Sequence, residues 1–108
     1  MKVLDPTLRS EESLHADELA QAHALLKRFN TAHQLHKLAG EMAEAIVAIH
    51  HFEEERPNAI DNMMLELVQV DFMLLQMKIA MRGMWTEARQ RNIEKVDGKL
   101  KAWAAQEE

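Results

Sequence analysis

A chain of 108 residues with a formal net charge of −5 at pH 7 and no Cys has room for one small core, spanning 1–108 as a single domain. The missing Cys excludes a disulfide framework and a thiolate zinc site. The acidic balance excludes the clustered Lys and Arg that a nucleic-acid polymer requires, but leaves room for a small phosphorylated ligand whose charge a metal offsets. Met, Ala and Leu dominate while aromatics are few, so the predicted fold class is all-α. The opening stretch "MKVLDPTLRS" lacks the apolar core of a signal peptide, and no apolar run approaches the roughly 20 residues of a membrane span. A soluble, cytoplasmic protein with no membrane partner is expected.

Four helices are predicted in chain order. "DPT" can open a short turn. A first helix follows in "SEESLHADELAQAHALLKRF", with Ser10 as N-cap and two acids in its first turn, ending near 29–30. A second runs from 31 to about 52, with Leu35, Leu38, Met42, Ala45, Ile46 and Ile49 as an apolar stripe at helical spacing. Gly40 either weakens its interior or permits close packing. The run "EEER" and Pro57 close it, and Asn58 with Asp61 resembles a capping arrangement opening a third helix over 59–82. Gly83 is the expected C-terminal cap of that helix. The last helix is expected from Thr86, with a break at Asp97–Gly98 and a frayed terminal "QEE".

The third helix carries apolar residues on every side: Ile60, Met64, Leu67 and Leu74 on one, Leu65, Val68 and Phe72 on others. A helix apolar all round is buried, and four short helices bury one so completely when a second subunit covers the open side, the alternative being a Met-rich monomer core. At about 100° per residue, Asn62, Glu66 and Gln69 align as a polar line on this helix, and Gln34, Lys37, Glu41 and Glu44 on the second. A buried Glu requires a partner. If the two lines face each other, Glu41, Glu44 and Glu66 converge and repel unless a divalent cation sits between them. Oxygen-only ligation suits Mg²⁺ or Mn²⁺. The same spacing equally fits solvent-exposed Glu41 and Glu44, with Glu66 paired to Lys37 or Lys78.

Two stretches carry a further signal: "FNTAHQLHKLAGEMAEAIVAI", with E-x-x-E at Glu41 and Glu44, and "NAIDNMMLELVQVDFMLLQMKI". Together they resemble the MazG-like branch of the all-α nucleoside triphosphate pyrophosphohydrolases, above all its small single-domain members carried by bacteriophages. The resemblance covers about half of the chain. It implies a four-helix, MazG-like bundle assembled as a homodimer or homotetramer, and Mg²⁺-dependent hydrolysis of an NTP or dNTP to the monophosphate and pyrophosphate. In that family E-x-x-E on one helix and E-x-x-D on the next hold the metal. Matched by position, the metal-binding and catalytic residues are Glu41, Glu44 and Glu66, and the fourth carboxylate falls at position 69.

Position 69 is Gln. A neutral carbonyl oxygen replaces a charge, so metal affinity is expected to fall. Asp71 lies about 140° further round the helix from Glu66 and is not expected to replace it. A carboxylate is the expected acceptor of the attacking water's proton. Lys37 is the candidate phosphate contact, and Gln34, Asn62 and Gln69 complete the candidate substrate-binding set; solvated side chains fit Lys37, Gln34 and Asn62 equally well. The alternative to an enzyme is a nucleotide-binding or structural homo-oligomer that lost hydrolysis with its fourth carboxylate. A di-iron bundle needs two Glu-x-x-His motifs, and only Glu12-x-x-His15 exists. The His33/His36 and His50/His51 pairs read as helix surface, Trp85 and Trp103 as packing residues, and Arg89 and Arg91 as a solvated face.

Overall fold

The computed structural model describes residues 7–107, which form four helices: α1 (Glu11–Arg28), α2 (Thr31–Glu53), α3 (Ala59–Ala80) and α4 (Arg82–Glu107). Among the described residues there is no strand, and no helix is long and apolar enough to cross a membrane. The expected turn at "DPT" lies, except for Thr7, outside the described residues.

Capping chemistry sets the first boundaries. Ser10 Oγ accepts from the Ser13 N–H at 3.1 Å, Glu11 and Glu12 stand at the positive end of the helix dipole, and Lys27 and Arg28 stand at its negative end. After a two-residue link, Asn30 Oδ1 accepts from the His33 N–H at 2.7 Å and restarts the chain as α2. Asn58 is the N-cap of α3, as expected, but it takes the left-handed conformation (φ 59°) and its side chain makes no capping bond; Asp61 lies in the first turn. Asn tolerates this conformation better than other non-glycine residues.

The junction of α3 and α4 departs from expectation. Gly83 is not a cap: the third helix ends at Ala80, Met81 alone separates it from α4, and Gly83 lies inside α4. The helical ladder survives the junction, with Met81 N–H donating to Met77 O and Trp85 N–H to Met81 O, both at 2.9 Å, so no left-handed cap is needed. For the same reason α4 starts four residues before Thr86, and it runs through Asp97–Gly98 without a break to Glu107.

The α2 and α3 helices form the main pair, and α1 and α4 each pack on α3, α4 bringing Trp85 against the core. Leu38, Met73 and Met77 make the core, with Val70, Leu74, Met81 and Trp85 against it. The buried line of α2 is Gln34, Leu38, Ala45 and Ala48. It is rotated from the expected apolar stripe, for Leu35, Met42 and Ile46 are exposed. Two alanines let the helix axes approach closely, so α2 turns this edge, and with it the polar line, onto α3. Gln34 is therefore no surface amide: it is 1 % exposed and donates to Gln76 Oε1 at 2.6 Å, while Gln76 donates to Met73 Sδ.

Much apolar surface is left uncovered. The outer faces of α3 expose Ile60, Met64 and Leu65, and α4 has no buried residue. Trp103 is exposed, contrary to its expected packing role, because the distal part of α4 extends beyond the other helices. The accessible surface is 9068 Å², against roughly 6,200 Å² for a compact monomer of this mass. The radius of gyration is 17.7 Å, against about 13 Å for a compact chain.

Candidate metal centre

Three cross-helix contacts define how the two polar lines meet. Gln34 pairs with Gln76, Glu41 with Gln69, and Glu44 with Glu66. As position rises along α2, it falls by the same step along α3, so the helices are antiparallel and both lines lie along their seam.

The seam brings Glu41, Glu44 and Glu66 together, with one carboxylate oxygen from each lying within 4.8 Å of the others. Glu41 and Glu66 are half-buried, and Glu44 is exposed. Among the described residues no Lys or Arg forms an ion pair with any of the three, so the pairing of Glu66 with Lys37 or Lys78 does not occur. Lys78 instead lies over the Trp85 ring. Partial desolvation, then the charges of Glu44 and Glu41, and a hydrogen bond with Glu44 raise the Glu66 carboxyl above its ordinary value of 4.5.

Gln69 stands against this cluster. With its nitrogen turned toward the carboxylates, Nε2 donates to Glu41 Oε2 and Glu66 Oε2, each at 3.0 Å. Chemistry selects that orientation, because carboxylate oxygens only accept and the amide nitrogen only donates. Gln69 thus faces the cluster as its position predicts. Asp71 is exposed and outside the cluster, in keeping with its place round the helix.

An open cavity of about 380 Å³ adjoins the cluster, sharing Glu41 and Gln69 with it, and lies between α1, α2 and α3. Lys37 lines it, one turn before Glu41. Gln34 also lines it, but with Nε2 committed to Gln76 and Oε1 in contact with His33 Nδ1 at 2.8 Å. Asn62 is exposed and does not line the cavity. The other walls include Leu25, Phe29, His33, Val68, Phe72 and Met73, and the Phe29 and His33 rings stack at 4.7 Å. These apolar and aromatic residues were not among the expected site residues. Phe29 and His33, one turn apart across the α1–α2 link, were the visible signal.

The donor set consists of oxygens alone, which suits Mg²⁺ or Mn²⁺, and a divalent cation would relieve the crowding that raises Glu66. The residues therefore fit such an ion. Compared with models of protein families, with curated proteins and with solved structures, the chain matches none.

Proposed function

We propose that the protein is a Mg²⁺-dependent nucleoside triphosphate pyrophosphohydrolase of the MazG-like kind, converting an NTP or dNTP to the monophosphate and pyrophosphate. The observation that carries this reading is the convergence of Glu41, Glu44 and Glu66 from two antiparallel helices at the mouth of a cavity with aromatic and apolar walls. Glu41, Glu44 and Glu66 would hold the ion, which supplies neutralisation of triphosphate charge and acidifies bound water. Lys37, beside Glu41 on the cavity wall, contacts a phosphate. A carboxylate of the cluster takes the proton of the attacking water. The new bond forms between water oxygen and the α-phosphorus, and the bond to the bridging oxygen breaks, so that pyrophosphate leaves. Phe29, Phe72 and Met73 offer an apolar surface for the base.

A homodimer or homotetramer belongs to the same proposal. The uncovered Ile60, Met64 and Leu65 on α3, and a surface well above that of a compact monomer, support a second copy of the chain over these outer faces.

Gln69 favours a second reading, a nucleotide-binding or structural homo-oligomer with weakened or lost hydrolysis. Its amide adds no charge and already satisfies Glu41 and Glu66. Product analysis after incubation with a panel of nucleotides and Mg²⁺ or Mn²⁺ separates the two. Equimolar monophosphate and pyrophosphate are expected from the enzyme. Nucleotide binding without either product, at high protein concentration, would establish the alternative.

A further inference from the structure

A second cavity, of about 540 Å³, lies where α1, α3 and α4 meet. His23 of α1, Lys78 near the end of α3, and Arg82 and Arg89 of α4 line it, together with Trp85, Thr86 and two aliphatic side chains. No carboxylate is among the lining residues. In a chain with 18 acidic residues against 13 Lys and Arg, this reverses the overall balance.

The cations are not neutralised locally. Among the described residues Lys78, Arg82 and Arg89 make no ion pair, and the nearby acid Glu87 is engaged by Arg91 one helical turn on. The arrangement is anchored. Trp85 packs against the core formed by Leu38, Met73 and Met77, and Lys78 Nζ lies 5.6 Å from its ring centre. Thr86 Oγ1 donates to the Arg82 carbonyl at 3.0 Å at the start of α4.

Like charges gathered around one cavity repel each other until an anion sits among them. Guanidinium groups recognise phosphate through paired donors, and an ammonium adds a mobile point charge. We propose that this cavity binds an oligophosphate anion, either inorganic pyrophosphate or the phosphate tail of a nucleotide, with Lys78, Arg82 and Arg89 as its contacts. The site is separate from the carboxylate cluster: Lys78 lies about 13 Å along α3 from Gln69. It does not rest on the proposed hydrolysis. A nucleic-acid polymer would need a longer basic track than these residues provide.

The test uses the full chain carrying Trp103→Phe, which leaves Trp85 as the remaining Trp, with EDTA present so that the carboxylate cluster holds no metal. Pyrophosphate is titrated while Trp85 emission is followed. A saturable change with Kd below about 1 mM at low salt is expected, weakened by added NaCl and roughly tenfold by Arg82→Gln combined with Arg89→Gln. Both arginines are exposed, and circular dichroism checks that the double variant stays folded. ADP binding more tightly than pyrophosphate identifies a nucleotide tail, and equal or weaker binding identifies the inorganic anion. No saturation at about 10 mM pyrophosphate, the same affinity in the double variant, or adenosine binding as tightly as ADP would overturn the proposal.

Discussion

The α3 helix carries two charged sites of opposite sign. Near its middle, Glu66 meets Glu41 and Glu44 of α2; at its end, Lys78 meets Arg82 and Arg89 of α4. The acids are partly compensated from within, because the Gln69 amide bridges two of them and the Glu66 carboxyl, crowded by Glu44 and Glu41, holds its proton more tightly than an ordinary carboxyl. The bases have no such internal donor of negative charge. A carboxylate can take up a proton to relieve crowding, whereas a guanidinium cannot release one in a protein. Proton uptake can therefore ease the crowding of the acids, while the guanidinium groups of the basic cavity rely on solvent or on an anion.

The largest effect that would sharpen this contrast is expected at the acids. Glu44→Gln combined with Glu66→Gln should weaken Mg²⁺ binding on the order of 100-fold or more, read by calorimetry, and should leave pyrophosphate binding in EDTA unchanged. Loss of both would mean that the two sites are one. Next comes the buried amide pair beside the cluster. Gln76→Ala removes the acceptor of the Gln34 amide and should cost about 1–3 kcal/mol in urea unfolding. An unchanged midpoint would show that this pair does not hold the α2–α3 register.

Gln69→Asp introduces a charge at a position already within reach of Glu41 and Glu66. It should raise Mg²⁺ affinity on the order of tenfold and lower thermal stability in EDTA, since it replaces a donor by a fourth anion. A smaller effect follows from Glu66 itself. Its raised pKa means that the folded state holds the proton more tightly than the unfolded one. Metal-free stability should therefore fall as pH rises from 4.5 through the raised value. Single Glu66→Gln should flatten that slope in thermal melts followed across pH; an unaltered slope would place the crowding elsewhere.

Legibility in the sequence followed the range of the interactions. Ser10 and Pro57 marked helix boundaries because caps and proline act within a few residues, whereas the Asn30 cap of α2 emerged only in the structure. Asn58 marked the start of α3, although its side chain makes no capping bond; Gly83 misled, because the backbone ladder continues through Met81. Glu41, Glu44 and Glu66 could be placed in one group because helical spacing aligns each line and one antiparallel seam joins them. The buried Gln34–Gln76 pair and the rotated face of α2 could not be read, since both depend on how closely Ala45 and Ala48 let the helices approach. The basic cavity was the least visible, with His23, Lys78, Arg82 and Arg89 drawn from three helices that share no local pattern.

The carboxylate cluster is tested most directly by titrating the metal-free protein with Mn²⁺ and following the free ion by electron paramagnetic resonance. The result expected is one strong site per chain, displaced by Mg²⁺ and abolished when Glu41, Glu44 and Glu66 are together replaced by Gln. Mn²⁺ binding that is absent, or equal in the triple variant, would contradict a metal centre at the α2–α3 seam.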